Sequence, residues 1–188
     1  MRVETRTKVR YYIAKYMLDV IKKRRSYRDF LDKEVEEEKI TEILKAAMFS
    51  PSARHQRLWE FIVVKDKKTR DLLAQTKTHS HFVNKAPIVI AIISPKDESN
   101  RYWLEDCFIA STQIYLETTN QGLATCCVQI YGSKRDNGDD CQKYVQDILN
   151  IPQAIQVACL MPIGYPKESL PEHTEEEFEK NKIHWDKY

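Results

Sequence analysis

Glycine is scarce in this sequence, which contains only Gly122, Gly132, Gly138 and Gly164. The GxGxxG turn of a dinucleotide-binding fold and the GxxxxGK[ST] phosphate loop both require closely spaced glycines. The four glycines lie too far apart to form either motif, so both classes of nucleotide site are excluded. Any bound phosphate must therefore be held by side chains and ordinary backbone amides.

Long apolar runs and paired cysteines are also missing. No stretch approaches the roughly 18 apolar residues of a membrane span, and the N-terminal residues lack the apolar core of a signal peptide. The five cysteines form no CxxC pair and no zinc-ligand spacing, and their odd number is typical of a reducing compartment. We therefore expect a cytoplasmic protein that binds neither a membrane nor a metal ion.

Positive charge is concentrated near the N-terminus. The formal net charge is only +2, but residues 1–28 contain ten Lys and Arg side chains and two acidic ones. Such asymmetry indicates either a nucleic-acid-binding arm or a local site for an anionic ligand. The segment contains no established nucleic-acid motif, which favours the anionic ligand.

Predicted strands and helices alternate along the chain. Hydrophobic periodicity and composition predict five helices and four strands, with an irregular segment over 77–86. The helices are expected over 8–23, 36–49, 69–76, 100–121 and 139–149, and the strands over 58–64, 87–94, 125–131 and 155–163. The run over 87–94 is apolar throughout, as in a strand that is buried on both faces. This pattern predicts an α+β or α/β layer in which helices cover a sheet.

The most informative local motif is Arg24-Arg25-Ser26-Tyr27-Arg28, just beyond the end of the first predicted helix. A guanidinium group presents a planar set of donors that matches phosphate oxygens, so the motif is a candidate monophosphate site. The alternative is a helix C-terminus with cations that complement the helix dipole. The motif alone leaves both interpretations open.

Two further segments are candidate ligand loops. The polar segment over 50–57, SPSARHQR, runs into a predicted strand and offers amides, a serine and an imidazole, or it is a plain connection. The segment over 161–166, MPIGYP, closes the last predicted strand. Its Gly164 either allows close approach to a ligand or serves the turn alone.

Taken in order, these motifs resemble the nitroreductase-like flavoproteins. The resemblance rests on RRSYR, SPSARHQRLWEFIVV, the segment over 103–132, MPIGYP and KIHWDKY, and it covers residues 17–188. It implies an α+β fold with a mostly antiparallel sheet, FMN bound at the interface of a homodimer, and NAD(P)H as hydride donor. Residues 17–188 would form one domain and residues 1–16 an N-terminal extension or extra helix.

The resemblance also implies which residues hold the phosphate and ribityl end of FMN. Matches to that segment of the family are Arg24, Arg25, Ser26 and Arg28. Gly164 and Tyr165 match the loop beside the phosphate. Many members carry a further Lys or Arg after this loop, where this chain offers only His173.

A second loop and one strand end complete the implied flavin site. The second loop would reach the flavin from the partner subunit, and its matching residues are Pro51, Ser52, Ala53 and His55, where His55 replaces a frequent Asn. Residues 128–132 match the strand end beside the isoalloxazine ring, with Ile130 and Tyr131 nearest the redox edge.

The expected function is FMN-dependent, ping-pong reduction of nitroaromatics, quinones or related small acceptors by NAD(P)H. No catalytic side chain is expected, because the flavin carries the chemistry. The alternatives are a flavin carrier or sensor without turnover and a specialised member such as a reductive dehalogenase.

Overall fold

A five-stranded antiparallel sheet forms the centre of the part of the chain that the computed structural model describes, residues 16–96 and 101–188. The strand order is β1-β2-β5-β3, and β4 also pairs with β5. The strands are β1 Glu60–Val64, β2 Ile88–Pro95, β3 Ala124–Thr125, β4 Val128–Gln129 and β5 Ile155–Gly164. The antiparallel α+β architecture implied by the resemblance is confirmed.

The two longest strands, β2 and β5, form the buried middle of the sheet. Alternate side chains of β2 point to opposite faces, so Ile88, Ile90 and Ile92 join one apolar cluster and Val89 and Ala91 join the other. Both faces are covered, which explains why this strand is apolar from Ile88 to Ile93.

Five helices of the described residues flank the sheet. They are α1 over 16–23, α2 Glu37–Met48, α3 Lys67–Leu73, α4 Trp103–Asn120 and α5 Cys141–Leu149. Helices α2 and α4 contribute Ile43 and Ile114 to one cluster, and α3 and α5 contribute Leu73 and Val145 to the other. Within these residues no helix is long and apolar enough to cross a membrane.

Helix α4 ends where the sequence predicts. Gly122 has a φ of +70°, and its amide donates to the Thr119 carbonyl at 3.1 Å. The Leu123 amide donates to the Thr118 carbonyl at 2.9 Å, which completes a Schellman cap. The predicted start of this helix at residue 100, like most of the predicted extension over 1–16, lies outside the described residues.

The predicted strand over 125–131 differs from the structure, which contains two short strands there. Thr125 pairs with Ile163 and Val128 with Leu160, so the register is the same on both sides of the interruption. The amide of Cys127 donates to the Tyr115 hydroxyl at 2.6 Å instead of to β5. A side chain from α4 therefore interrupts the ladder.

Two other predictions differ in detail. The segment predicted as irregular contains the 3-10 helix Thr78–Lys85, which begins where Ser80 Oγ accepts the Lys77 amide at 3.0 Å. Helix α3 begins two residues earlier than predicted, because the Asp66 carboxylate accepts the Thr69 amide at 2.8 Å as an N-cap.

Gly164 is required by packing. A Cβ built on this residue would lie 2.6 Å from Pro87 Cδ and 3.2 Å from Phe30 Cδ1, and the φ of Gly164 is not in the left-handed region. Protein atoms fill the space beside Gly164, so close packing against Pro87 and Phe30 accounts for the glycine.

We predict that Gly164→Ala lowers the free energy of unfolding by about 1–3 kcal/mol, the usual cost of overpacking. Pro87→Ala removes the ring atom that the new methyl group would strike. Chemical denaturation of both single variants and the double variant should show that the two changes together cost less than their sum. Strict additivity would contradict this packing account.

Candidate flavin site

The basic segment over 24–28 lies along the end of β3. Helix α1 ends at residue 23, and the Arg24 amide still donates to the Val20 carbonyl at 3.0 Å. Ser26 then forms a parallel bridge with Thr125, whose carbonyl accepts the Tyr27 amide at 3.1 Å. Backbone pairing with the sheet therefore fixes the position of the arginines.

The C-terminal part of the chain returns to this segment. Arg24 Nη2 lies 3.0 Å from His173 Nε2, and Arg25 Nη1 donates to the Pro171 carbonyl at 2.5 Å. The His173 amide donates to the Lys22 carbonyl at 2.9 Å. The structure thus brings together Arg24, Arg25 and His173, which are about 150 residues apart in sequence.

Acidic side chains accompany His173. Lys22 forms an ion pair with Glu175, and His173 Nδ1 lies 2.6 Å from Glu177 Oε2. The hydrogen bond from Lys22 lowers the pKa of Glu175, and the hydrogen bond from His173 lowers the pKa of Glu177. Both carboxylates are therefore ionised at neutral pH and offset part of the local positive charge.

The arginines retain donors for a ligand. A guanidinium has five N–H groups, and Arg24 and Arg25 each use one in the contacts above. The exposed Arg28 has its Cζ 5.8 Å from the centre of the Phe82 ring and donates no hydrogen bond to another described residue. The buried hydroxyl of Thr125, beside Ser26, also lacks a partner among the described residues. This donor set fits a phosphate monoester.

The Tyr115 ring on α4 packs against Arg24 of the basic segment. No sequence motif indicated this contact. Arg24 Cζ lies 5.4 Å from the centre of the Tyr115 ring, within cation–π range. Burial raises the pKa of the Tyr115 hydroxyl, which accepts the Cys127 amide. No local sequence pattern distinguishes Tyr115 from the other aromatic and apolar residues of α4.

The second predicted loop contains an unusual backbone. It includes the 3-10 turn Ala53–His55, and the φ angles of Arg54, His55 and Arg57 are +53°, +57° and +52°. Two hydrogen bonds hold it: Ala53 N donates to Asp106 Oδ1 at 2.9 Å, and Arg57 N donates to Ser52 Oγ at 3.0 Å. Non-glycine residues in this region are strained and cluster at functional sites.

Three buried polar atoms around this loop have no hydrogen-bond partner among the described residues: Ser50 Oγ, Gln56 Oε1 and Asp106 Oδ2. Native proteins rarely leave such groups unpaired. Together with the strained backbone, they make the loop over 50–57 a candidate binding surface. The sequence did not indicate the role of Asp106, which is 4% exposed.

The single chain does not bring the two loops together. Both contact α4, one at Asp106 and the other at Tyr115, which are nine residues apart. That separation corresponds to about 14 Å along the axis and to about half a turn around it. Pro51, Ser52, Ala53 and His55 therefore lie on the other side of α4 from the arginines.

At the strand end predicted to lie beside the flavin ring, Ile130 is buried and Tyr131 is half-buried. Ile130 is fully buried in the core, and the amides of Ile130 and Tyr131 both donate to the Ala158 carbonyl at 3.0 and 3.2 Å. The Tyr131 ring packs edge-to-face on Trp103 at a centroid distance of 4.8 Å. These contacts make the strand end rigid.

Tyr165 contacts α2 with its side chain. Its hydroxyl donates to Glu36 Oε2 at 2.7 Å and accepts from Lys39 Nζ at 3.0 Å. Its carbonyl accepts the Leu31 amide at 2.9 Å. Tyr165 thus fixes the chain that follows the basic segment, and its hydroxyl contacts α2 rather than the arginines.

Cys107, the cysteine of α4, is not a candidate nucleophile. Burial raises the pKa of the Cys107 thiol to about 12, so the thiol stays protonated at neutral pH. The nearby Asp106 carboxylate adds to this rise.

Comparison with known proteins identifies the family of this architecture. The nitroreductase family model matches residues 21–80 and 72–165. An FMN-dependent nitroreductase of Clostridium difficile R20291 superimposes with a TM-score of 0.87 and is 37% identical, covering 90% of this chain and 98% of that one.

Two relatives are similar over most of their lengths. A Methanothermobacter thermautotrophicus protein, whose name couples NADH dehydrogenase with NAD(P)H nitroreductase, is 32% identical over 174 residues, 92% of this chain and 87% of its own. The iodotyrosine deiodinase of Thermotoga neapolitana is 23% identical over 188 residues, covering 87% of this chain and 95% of that protein.

Proposed function

The chain belongs to the nitroreductase family of oxidoreductases, and we propose that it is an FMN-dependent NAD(P)H oxidoreductase for nitroaromatics, quinones or related acceptors. The observation that carries this proposal is the arginine cluster with its unused donors at the end of β3. Arg24, Arg25, Ser26 and Arg28 would hold the phosphate end of FMN, and His173 belongs to the same cluster through Arg24.

The second half of each site would come from a partner subunit in a homodimer. The loop with Pro51, Ser52, Ala53 and His55 lies across α4 from its own arginines, which supports a site shared between two chains. Phe49, directly before this loop, is 79% exposed, and Met17 on α1 is 52% exposed. In the proposed dimer these two side chains would contribute to the apolar interface.

Bound FMN would supply the redox chemistry, taking a hydride from NAD(P)H and delivering it to the acceptor. The protein's own tasks are binding and orientation. The arginines would fix the phosphate end, the strand end at Ile130 and Tyr131 would lie beside the ring, and Gly164 and Tyr165 would flank the phosphate.

Two alternatives remain open to experiment. A flavin carrier or sensor would bind FMN without oxidising NAD(P)H when an acceptor is added. A reductive dehalogenase, an alternative favoured by similarity to the deiodinase, would prefer a halogenated aromatic acceptor. Steady-state NAD(P)H oxidation with a nitroaromatic, a quinone and a halogenated phenol distinguishes the three.

The free cysteines agree with the predicted cytoplasmic location, which stays a prediction.

We predict that Arg24→Ala or Arg28→Ala weakens FMN binding by about ten- to a hundredfold, since each hydrogen bond to a charged group contributes roughly 1.5–3 kcal/mol. Riboflavin, which lacks the phosphate, should bind almost as before. Fluorescence titration of the flavin-free chain measures both affinities. The control is Lys23→Ala, because Lys23 is an exposed cation beside the cluster. Equal losses for both flavins would place the phosphate elsewhere.

We predict a homodimer by size-exclusion chromatography with light scattering. Phe49→Asp should dissociate it and release flavin, because the second loop would then be missing from each site. Leu72→Asp is the matched control, since Leu72 is 46% exposed on α3, away from both loops. A monomer that retains stoichiometric FMN would contradict the shared site.

We predict ping-pong kinetics, because a single flavin face must serve donor and acceptor in turn. Double-reciprocal plots of NAD(P)H oxidation at several acceptor concentrations should be parallel. Intersecting lines would indicate a ternary complex with two separate substrate positions.

A further inference from the structure

The His173 ring lies between a cation and an anion. Arg24 Nη2 is 3.0 Å from Nε2, and Glu177 Oε2 is 2.6 Å from Nδ1. A guanidinium can only donate, and an ionised carboxylate can only accept. Nε2 must therefore accept from Arg24 with its lone pair, and Nδ1 must carry the proton that is donated to Glu177. Both contacts are satisfied only by a neutral ring with hydrogen on Nδ1.

We propose that His173 is a positioning residue of the FMN phosphate site, where its neutral ring, oriented by Glu177, holds Arg24 in place and does not contact the phosphate. The proposal rests on the proposed function of the arginine cluster. It assigns His173 a different task from that of the Lys or Arg whose place it takes in the family resemblance.

The geometry disfavours direct contact with phosphate. To donate to a phosphate oxygen, Nε2 would need a hydrogen, which would then face the N–H of Arg24. The ionised Glu177 on the other side of the ring would add negative charge close to a phosphate dianion. By contrast, Arg24 keeps four N–H groups after its bond to His173, enough for a two-pronged contact with phosphate.

Holding Arg24 also reduces the cost of binding. A long Arg side chain loses rotamer freedom when it binds a ligand, and that loss is smaller when the side chain is already fixed. His173 restrains one edge of the Arg24 guanidinium, and the centre of the Tyr115 ring lies 5.4 Å from Arg24 Cζ. The cluster is therefore preorganised before FMN arrives.

The acceptor role predicts a pH dependence of defined sign. The charged groups around His173 are Arg24 at Nε2, Glu177 at Nδ1, Lys22 at its backbone amide, and Arg25, which helps to lower the pKa of Glu177. The Lys22 ammonium is itself paired with Glu175. Protonation of His173 places a hydrogen on Nε2 against the donor of Arg24. FMN affinity should therefore fall as His173 becomes protonated.

The test is fluorescence titration of the flavin-free full chain with FMN at about pH 8 and about pH 5.5, the range over which histidine side chains in general change charge. His173→Gln keeps an acceptor oxygen that does not titrate, and His173→Lys replaces the acceptor with a cation. His184→Gln is the matched control, a histidine from the same C-terminal segment whose ring packs on Tyr188. Thermal unfolding confirms that each variant is folded.

We expect His173→Lys to weaken FMN binding about tenfold at both pH values, as for the loss of one hydrogen bond to a charged group. The phosphate of FMN itself has a second pKa of about 6, so every variant should lose some affinity in acid. Wild type and His184→Gln should lose about three- to tenfold more affinity than His173→Gln over the same interval.

The proposal is overturned if His173→Lys binds FMN as tightly as wild type or more tightly. It is also overturned if wild type loses no more affinity in acid than His173→Gln, or if His184→Gln reproduces the effect of His173→Gln. Failure of the proposed function gives a different result: wild type and Arg24→Ala would then bind FMN and riboflavin equally, whatever residue 173 is.

Discussion

Five cationic side chains lie within the seven residues 22–28, and their mutual repulsion is the constraint around which the site is organised. Two like charges 4 Å apart repel by about 1 kcal/mol even in water, and by more near a protein surface. The fold holds this segment with the backbone pairing of Ser26 and Tyr27 to Thr125 and with carboxylates from the C-terminal segment. The remaining unsatisfied donors of the arginines are what makes the segment suitable for an anionic ligand.

Helix α4 links the two candidate loops and also keeps them apart. Asp106 near its start holds the strained loop over 50–57, and Tyr115 near its end supports Arg24 and interrupts the ladder between β3 and β4. Because these residues lie on opposite sides of one helix, the two loops do not meet within one chain, and the proposed site would need a second chain. Ser50 Oγ, Gln56 Oε1 and Asp106 Oδ2 have no hydrogen-bond partner among the described residues, which supports the proposal that a second chain completes this loop.

Much of the fold could be predicted from the sequence pattern, because β2 is apolar from Ile88 to Ile93, α2 has one apolar face and Gly122 ends α4. The interruption of the strand ladder at Cys126 and Cys127 could not be predicted in this way, because it depends on the Tyr115 hydroxyl from α4. Likewise, the motif at 24–28 identified the basic half of the site, but no local pattern indicates that His173 and Glu177 reach it. The sequence left the role of Gly164 undecided between ligand approach and turn formation. Close packing against Pro87 explains why a glycine stands there.

We propose that the arginine cluster at the end of β3 holds the phosphate of FMN. The most direct measurement is to denature the purified protein and identify the released flavin by chromatography and absorbance. We expect stoichiometric FMN, a flavin that ends in a phosphate monoester. A colourless protein, or one that releases riboflavin or FAD in place of FMN, would contradict it.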